Sequence, residues 1–169
     1  DQLSVSEKGS EFKTETEARI KVVQTGCENS TARKVLTIEW LDPLYIGGMW
    51  LPEMIDIVRG QVCIAKSGQL APIVKKEDLE KIEPDVVVVK PCGYKLNQTL
   101  KELELLKEQL PDWKNPPSIY LVDGNSYFNR PGPRILDSLE ILAYCTHPEL
   151  FTDFGERYKT SIIELGSAN

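Results

Sequence analysis

Four short runs of strand-forming residues recur along the chain, separated by helical stretches. The runs are VLTIEW (35–40), QVCIA (61–65), DVVVVK (85–90) and SIYLV (118–122). The VVVV core of the third is apolar without interruption, the pattern of a strand covered on both faces. Between and after the runs lie MWLPEMIDIVRG, KKEDLEKIEP, LNQTLKELELLKEQL and RILDSLEILAYC. In the third of these, Leu96, Leu100, Leu103 and Leu106 return at three- and four-residue spacing and make one apolar helical stripe. Ile135, Leu139 and Leu142 do the same in the last, with Pro133 where a first helical turn tolerates it. Gly60 marks the expected end of the helix before it. Ahead of all these, EFKTETEARIKVVQ (11–24) is a mostly polar run of good helix formers closed by Gly26, and ENSTAR (28–33) reads as loop. The tail beyond Phe151 is polar except for SIIEL (161–165), which the pattern leaves without a place.

This alternation predicts an α/β lobe of three layers, α/β/α, around a mainly parallel sheet of about four or five strands. Residues 1–33 form a polar N-terminal segment of helix plus loop, 34–152 the lobe, and 153–169 a tail. In open parallel sheets ligands meet the loops at the C-terminal strand ends. Three of those loops are unusual: LDPLYIGGMW, KPCGYK and DGNSYFNRPGPR. They would gather Trp40, Tyr45, Tyr94, Tyr127 and Phe128 on one edge, with Trp50 packing as core. Asp42-Pro43 predicts a turn, and Arg134 opens the last helix as a structural residue.

Composition narrows the function. A formal charge of −6 and a pI near 5.0 argue against a nucleic-acid partner, which needs a basic face. No apolar run approaches the ~18 residues of a membrane span, and the N-terminus DQLSVSEKGSEFK has no signal-peptide core. Cys27, Cys63, Cys92 and Cys145 are widely spaced without a CxxC pair, so zinc and redox motifs are unsupported and buried, small apolar roles are expected. With His147 as the one histidine, metal sites and histidine-based catalysis start without their usual residues. No nucleophile–base pair, Gly-rich phosphate loop or paired metal ligands stand out. No catalytic residue and no required cofactor are expected.

Taken in order, IEWLDPLYIGGMWLPEMIDIVRG, KKEDLEKIEPDVVVVKPCGY and YLVDGNSYFNRPGPRILDSLEILA resemble the substrate-binding proteins of vitamin B12 and ferric-siderophore ABC importers, over residues 34–151. That resemblance implies two α/β lobes joined by a long rigid helix, with the ligand held between them. These residues match the second lobe, and 11–24 would be the end of the connecting helix. It implies a corrinoid such as cobalamin, or an iron chelate, as ligand, and the importer's membrane subunit and the opposite lobe as partners. A periplasmic or extracellular location follows from the same likeness. By resemblance Tyr45 presents its ring from the first loop, and Arg130 faces the ligand with Tyr127 and Phe128 beside it. Trp40 and Tyr94 line the same edge. A guanidinium there suits amides, phosphates and carboxylates, and aromatic faces suit a flat, polarisable molecule. Glu77 matches a glutamate that docks with arginines of the membrane subunit. Ala71 stands where some relatives carry a pocket tryptophan.

Two other readings stay open on the residues. One is an interaction module, a single lobe that pairs with itself or another chain over its aromatic edge. The other is an α/β enzyme using the Cys92 thiol, which would need a neighbouring base.

Overall fold

The computed structural model describes residues 6–166. Helix α1, Ser6–Cys27, leads into β1, Arg33–Leu41, and a hairpin returns it as β2, Leu44–Ile46. There follow α2 (Leu51–Ile57), β3 (Gly60–Val62), α3 (Lys76–Leu79) and β4 (Val86–Val89). Helix α4 (Leu96–Thr99) passes through a 3₁₀ turn, Leu100–Glu102, into α5 (Leu103–Gln109). The chain ends with β5 (Ser118–Val122), α6 (Gly124–Tyr127), α7 (Ile135–Thr146), α8 (Thr152–Arg157) and β6 (Ile162–Leu165).

The six strands form one sheet in the order β2-β1-β4-β5-β6. Strand β1 is long enough to serve two neighbours on one side. Arg33–Val35 pairs in parallel with β3, and Ile38–Leu41 pairs antiparallel with β2. β1, β4 and β5 are parallel, with Ile38, Val89 and Leu121 level across the three. The four valines of β4 are buried, as a doubly covered strand requires, each worth roughly 1.5–2 kcal/mol gross. Val86 and Val88 join the cluster under α1, α2, α7 and α8; Val87 and Val89 join the one under α4 and α5. The three-layer, mainly parallel lobe is the predicted one.

Several expectations change in detail. The segment SIIEL becomes β6, antiparallel to β5 (Leu121 opposite Ile163), and Phe154, Tyr158 and Ile162 enter the core. The lobe therefore takes in the tail through Leu165, and the sheet has six strands rather than four or five. QVCIA supplies only the short β3. The leucine stripe 96–106 keeps its apolar face, but the 3₁₀ turn breaks the helix in two without a breaker in the sequence. Gly26 is helical and lies against Phe151, where a Cβ would come within 2.7 Å of the ring, so its need is packing rather than termination. The left-handed residue after α2 is Arg59 (φ 60°), and Gly60 already begins β3. Cys27 and Cys145 are buried as expected, whereas Cys63 is half-buried and Cys92 exposed. Among the described residues no helix is long and apolar enough to cross a membrane.

Helix α1 is locked to the lobe. Val23 and Cys27 sit in the core, and Arg19 donates to Glu140 (2.9 Å) and Asp137 (2.7 Å) on α7. Arg157 and the Tyr158 hydroxyl reach the other Glu140 oxygen at 2.7 and 2.6 Å. Burial pushes the Glu140 carboxyl up, but hydrogen bonds from Arg19 and Tyr158 outweigh it and hold the pKa below the ordinary value.

Candidate functional site

The C-terminal ends of β1, β4 and β5 emerge on one edge of the sheet, and the loops leaving them are tied together by backbone. Asp42 and Pro43 make the predicted turn into β2. Beyond β2 the chain runs along a strap, residues 66–74. Met49 N donates to Gln69 O (2.7 Å), Gly68 N to Met49 O (2.8 Å) and Val74 N to Leu44 O (3.0 Å). A Cβ on Gly48 would stand 2.7 Å from Ala71 N and Gln69 O, so only glycine permits this approach.

The loop DGNSYFNRPGPR is held as firmly. Asp123 caps α6, accepting from Ser126 N (2.8 Å) and Ser126 Oγ (3.0 Å). Gly124 lies against the carbonyls of Lys90 and Pro91, where a side chain would collide. Asn125 N donates to Tyr94 O (2.9 Å), and the Cys92 thiol donates to Asn129 Oδ1. Arg134 donates to Ser126 O (3.3 Å), the structural tie expected of it. The loops after β4 and β5 thus behave as one surface.

The predicted site residues divide on this surface. Trp40 and Tyr94 meet edge-to-face, ring centroids 5.2 Å apart at 71°, with Trp40 Nε1 donating to Asp42 O (3.0 Å). They wall a pocket of about 90 Å³. Tyr45 pairs with Trp40 across the hairpin and bridges to Ile73 of the strap; alternation turns it away from buried Leu44 and Ile46, and it is half-buried. Arg130 is exposed and makes no hydrogen bond or ion pair among the described residues, so the work of tying the loop falls to Arg134. Glu77 is exposed in the first turn of α3, three residues beyond the point where the strap bonds to Leu44. Trp50 packs half-buried on the core, as expected.

Phe128 and Tyr127 do not offer their faces to this edge. Phe128 is 5% exposed within the core, and Tyr127 packs edge-on against Tyr158 at 5.7 Å. The short helix α6 turns both inward, where apolar burial outweighs exposure on a loop. Their role is to seat the loop, and the expectation that they line the ligand surface is corrected accordingly.

Lys90 is the residue that a reading of the sequence passes over. Its side chain is 1% exposed, its Nζ lies 3.3 Å from Glu39 Oε2 and 5.6 Å from the centroid of the Phe128 ring. Burial lowers its pKa, opposed by Glu39 and then Cys92. Strand alternation could have found it: Val86, Val88 and Lys90 share a face, and Glu39 follows Ile38, which pairs with Val89. The pair sits directly beneath the loop surface.

Cys92 has no histidine near it. His147 is buried at the opposite end of the sheet, with Nε2 3.0 Å from Val58 O and 3.3 Å from Ser30 Oγ. Among the described residues no cluster of His, Cys, Asp and Glu is placed to hold a metal ion.

No family model and no curated relative matches the chain. Solved structures do match. A periplasmic heme-binding protein from Pseudomonas aeruginosa superimposes with a TM-score of 0.69 at 16% identity, covering 89% of this chain and 57% of that one. The TroA-like periplasmic binding protein FepB from Veillonella parvula gives 0.66 at 14% identity, over 97% and 58%. The periplasmic vitamin B12 binding protein BtuF of Vibrio cholerae gives 0.59 at 18%, over 88% and 56%. The chain therefore has the fold of one lobe of ABC-transporter substrate-binding proteins and spans somewhat more than half their length.

Proposed function

We propose that this chain captures a bulky, flat cofactor or chelate without chemical change, supplying one wall of a two-walled cleft for delivery to an ABC importer. The ligand is a cobalamin-like corrinoid, a haem or a ferric siderophore. The observation that carries this reading is Arg130, exposed and unpaired on a rigid loop surface that also bears Trp40, Tyr45 and Tyr94. Rings supply stacking area and the guanidinium a directed donor. The fold shared with periplasmic heme- and B12-binding proteins supports the same class. Glu77 offers the membrane subunit a carboxylate at an exposed helix start, suited to steering an encounter with arginines. A non-enzymatic role accords with a Cys92 thiol whose partner is the amide Asn129 rather than a base. The test is titration with haemin, cyanocobalamin and ferric siderophores, read by tryptophan quenching; no response to any of them refutes the proposal.

A second reading, an interaction module, is favoured by one feature. Leu70 and Ile73 on the strap and Met49, which bonds to it, are 82%, 59% and 44% exposed. Sedimentation that gives a monomer at high concentration removes it.

A further inference from the structure

The pocket behind the Trp40–Tyr94 pair differs chemically from the rest of the edge. Its wall comprises those two rings, the apolar side chains of Leu41, Pro91 and Leu105, and two acids, Asp42 and Glu102. Among the described residues no lysine or arginine lines it. Neither acid is in an ion pair among the described residues, and Glu102 is half-buried. The two rings meet edge-to-face at 71° and both line the pocket, an aromatic corner, and the indole is fixed by its bond to Asp42 O. Glu102 and Leu105 reach this corner from the 3₁₀ turn and the first turn of α5, the segment where the helix is wound more tightly than its sequence announces. Lys90 is turned to the other face of the sheet by its place in the β4 alternation, paired with Glu39.

The rings and apolar side chains suit a cation that carries methyl groups in place of N–H donors. Aromatic faces attract cationic charge through their negative quadrupoles, and quaternary ammonium groups are the usual guests of aromatic corners. Methyl groups on nitrogen find apolar contacts, and the two carboxylates set the sign of the charge. A primary ammonium would meet Leu41, Pro91 and Leu105 with hydrated N–H groups, whereas N-methyl groups bury against them without losing hydrogen bonds. At about 90 Å³ the pocket takes a head group and not a whole drug-sized molecule, which needs roughly 300 Å³ or more.

We propose that the Trp40–Tyr94 pocket, closed by Asp42 and Glu102, is a binding site for the quaternary ammonium head of a small molecule. This site shares the Trp40 and Tyr94 rings with the surface proposed for the cofactor but uses neither Arg130 nor Tyr45. The experiment titrates the protein with choline and, as an uncharged isostere, 3,3-dimethylbutan-1-ol, following tryptophan fluorescence and calorimetry. Choline binds saturably and the alcohol at least tenfold more weakly. The double substitution Asp42→Asn, Glu102→Gln weakens choline at least tenfold at an unchanged melting temperature, and Arg130→Ala leaves it intact. Trp40→Leu abolishes the fluorescence response; should that variant fail to fold, the carboxamide pair carries the test alone. Absence of choline binding to the folded protein, equal binding of the alcohol, or wild-type affinity in the carboxamide variant each overturns the proposal. Haemin or cobalamin titrations of Arg130→Ala and Tyr45→Ala read the cofactor surface, and calorimetric choline titration of the carboxamide pair reads this pocket, so failure of one site is distinguishable from failure of the other.

Discussion

At the back of the lobe, where α1 and α8 flank α7, charged groups satisfy one another. Glu140 alone engages Arg19, Arg157 and Tyr158, with its side chain 5% exposed. At the strand-end edge the backbone is tied just as closely, yet Arg130, Asp42 and Glu102 have no ion-pair partner among the described residues. Both regions are ordered, but one is closed chemically and the other is ordered backbone presenting open side chains. Rigid loops with unpaired donors and rings are what a binding surface needs, since ordering costs are met before a ligand arrives. Lys90 stands between the two kinds: buried like the back, but with a single carboxylate partner that is itself 31% exposed.

The sharpest way to break this contrast is to remove Glu140. Glu140→Ala leaves Arg157 unpaired and makes Arg19 and Tyr158 share Asp137, and should cost about 2–4 kcal/mol in urea unfolding. The value falls short of a fully buried pair because the Arg157 side chain is 54% exposed. Glu39→Ala should cost less, about 1–3 kcal/mol, by stranding the Lys90 ammonium without its counter-charge. Lys90→Met, which removes the buried charge but keeps the stem, should leave the unfolding midpoint unchanged or raise it. A fall as large as that of Glu39→Ala would place Lys90 among the closed, stabilising groups.

A gentler probe is pH. Burial, as the largest influence, lowers the His147 pKa from its ordinary 6.5, against the Val58 carbonyl that raises it. The folded pKa lies below the unfolded one, so the unfolded chain binds the extra proton first. Stability from this group is full above pH 6.5 and declines as pH falls below it, through the folded pKa. Melting temperature followed from pH 7.5 to pH 5 should drop, and His147→Asn should flatten that slope. An equal slope in the variant would mean that carboxylates carry it.

Much of the back and the sheet was legible in the chain. VVVV announces β4, SIYLV matches β5 residue for residue, and the leucine stripes name the helix faces. What eluded the pattern were features decided by pairing at a distance. SIIEL is too short to read alone and becomes a strand only because β5 has an open edge. Trp40, Tyr45, Tyr94 and Arg130 were expected at the strand-end edge, and the structure places them there. Phe128 and Tyr127 were misplaced because a short helix, α6, turned Phe128 into the core and packed Tyr127 half-buried against it. Lys90 went unread because a lysine after four valines looks like the end of a strand, and its partner lies 51 residues away in sequence.

The central claim is that the open edge binds a flat cofactor or chelate through Tyr45 and Arg130. The direct measurement is equilibrium titration of the wild type, Tyr45→Ala and Arg130→Ala with haemin, cyanocobalamin and a ferric siderophore, alongside urea unfolding of each. The account predicts saturable binding of at least one, weakened about tenfold or more in both variants. Unfolding free energies should stay within about 0.5 kcal/mol for Arg130→Ala, as for an exposed residue without partners. Binding by none of the three, or wild-type affinity in both variants, would contradict it.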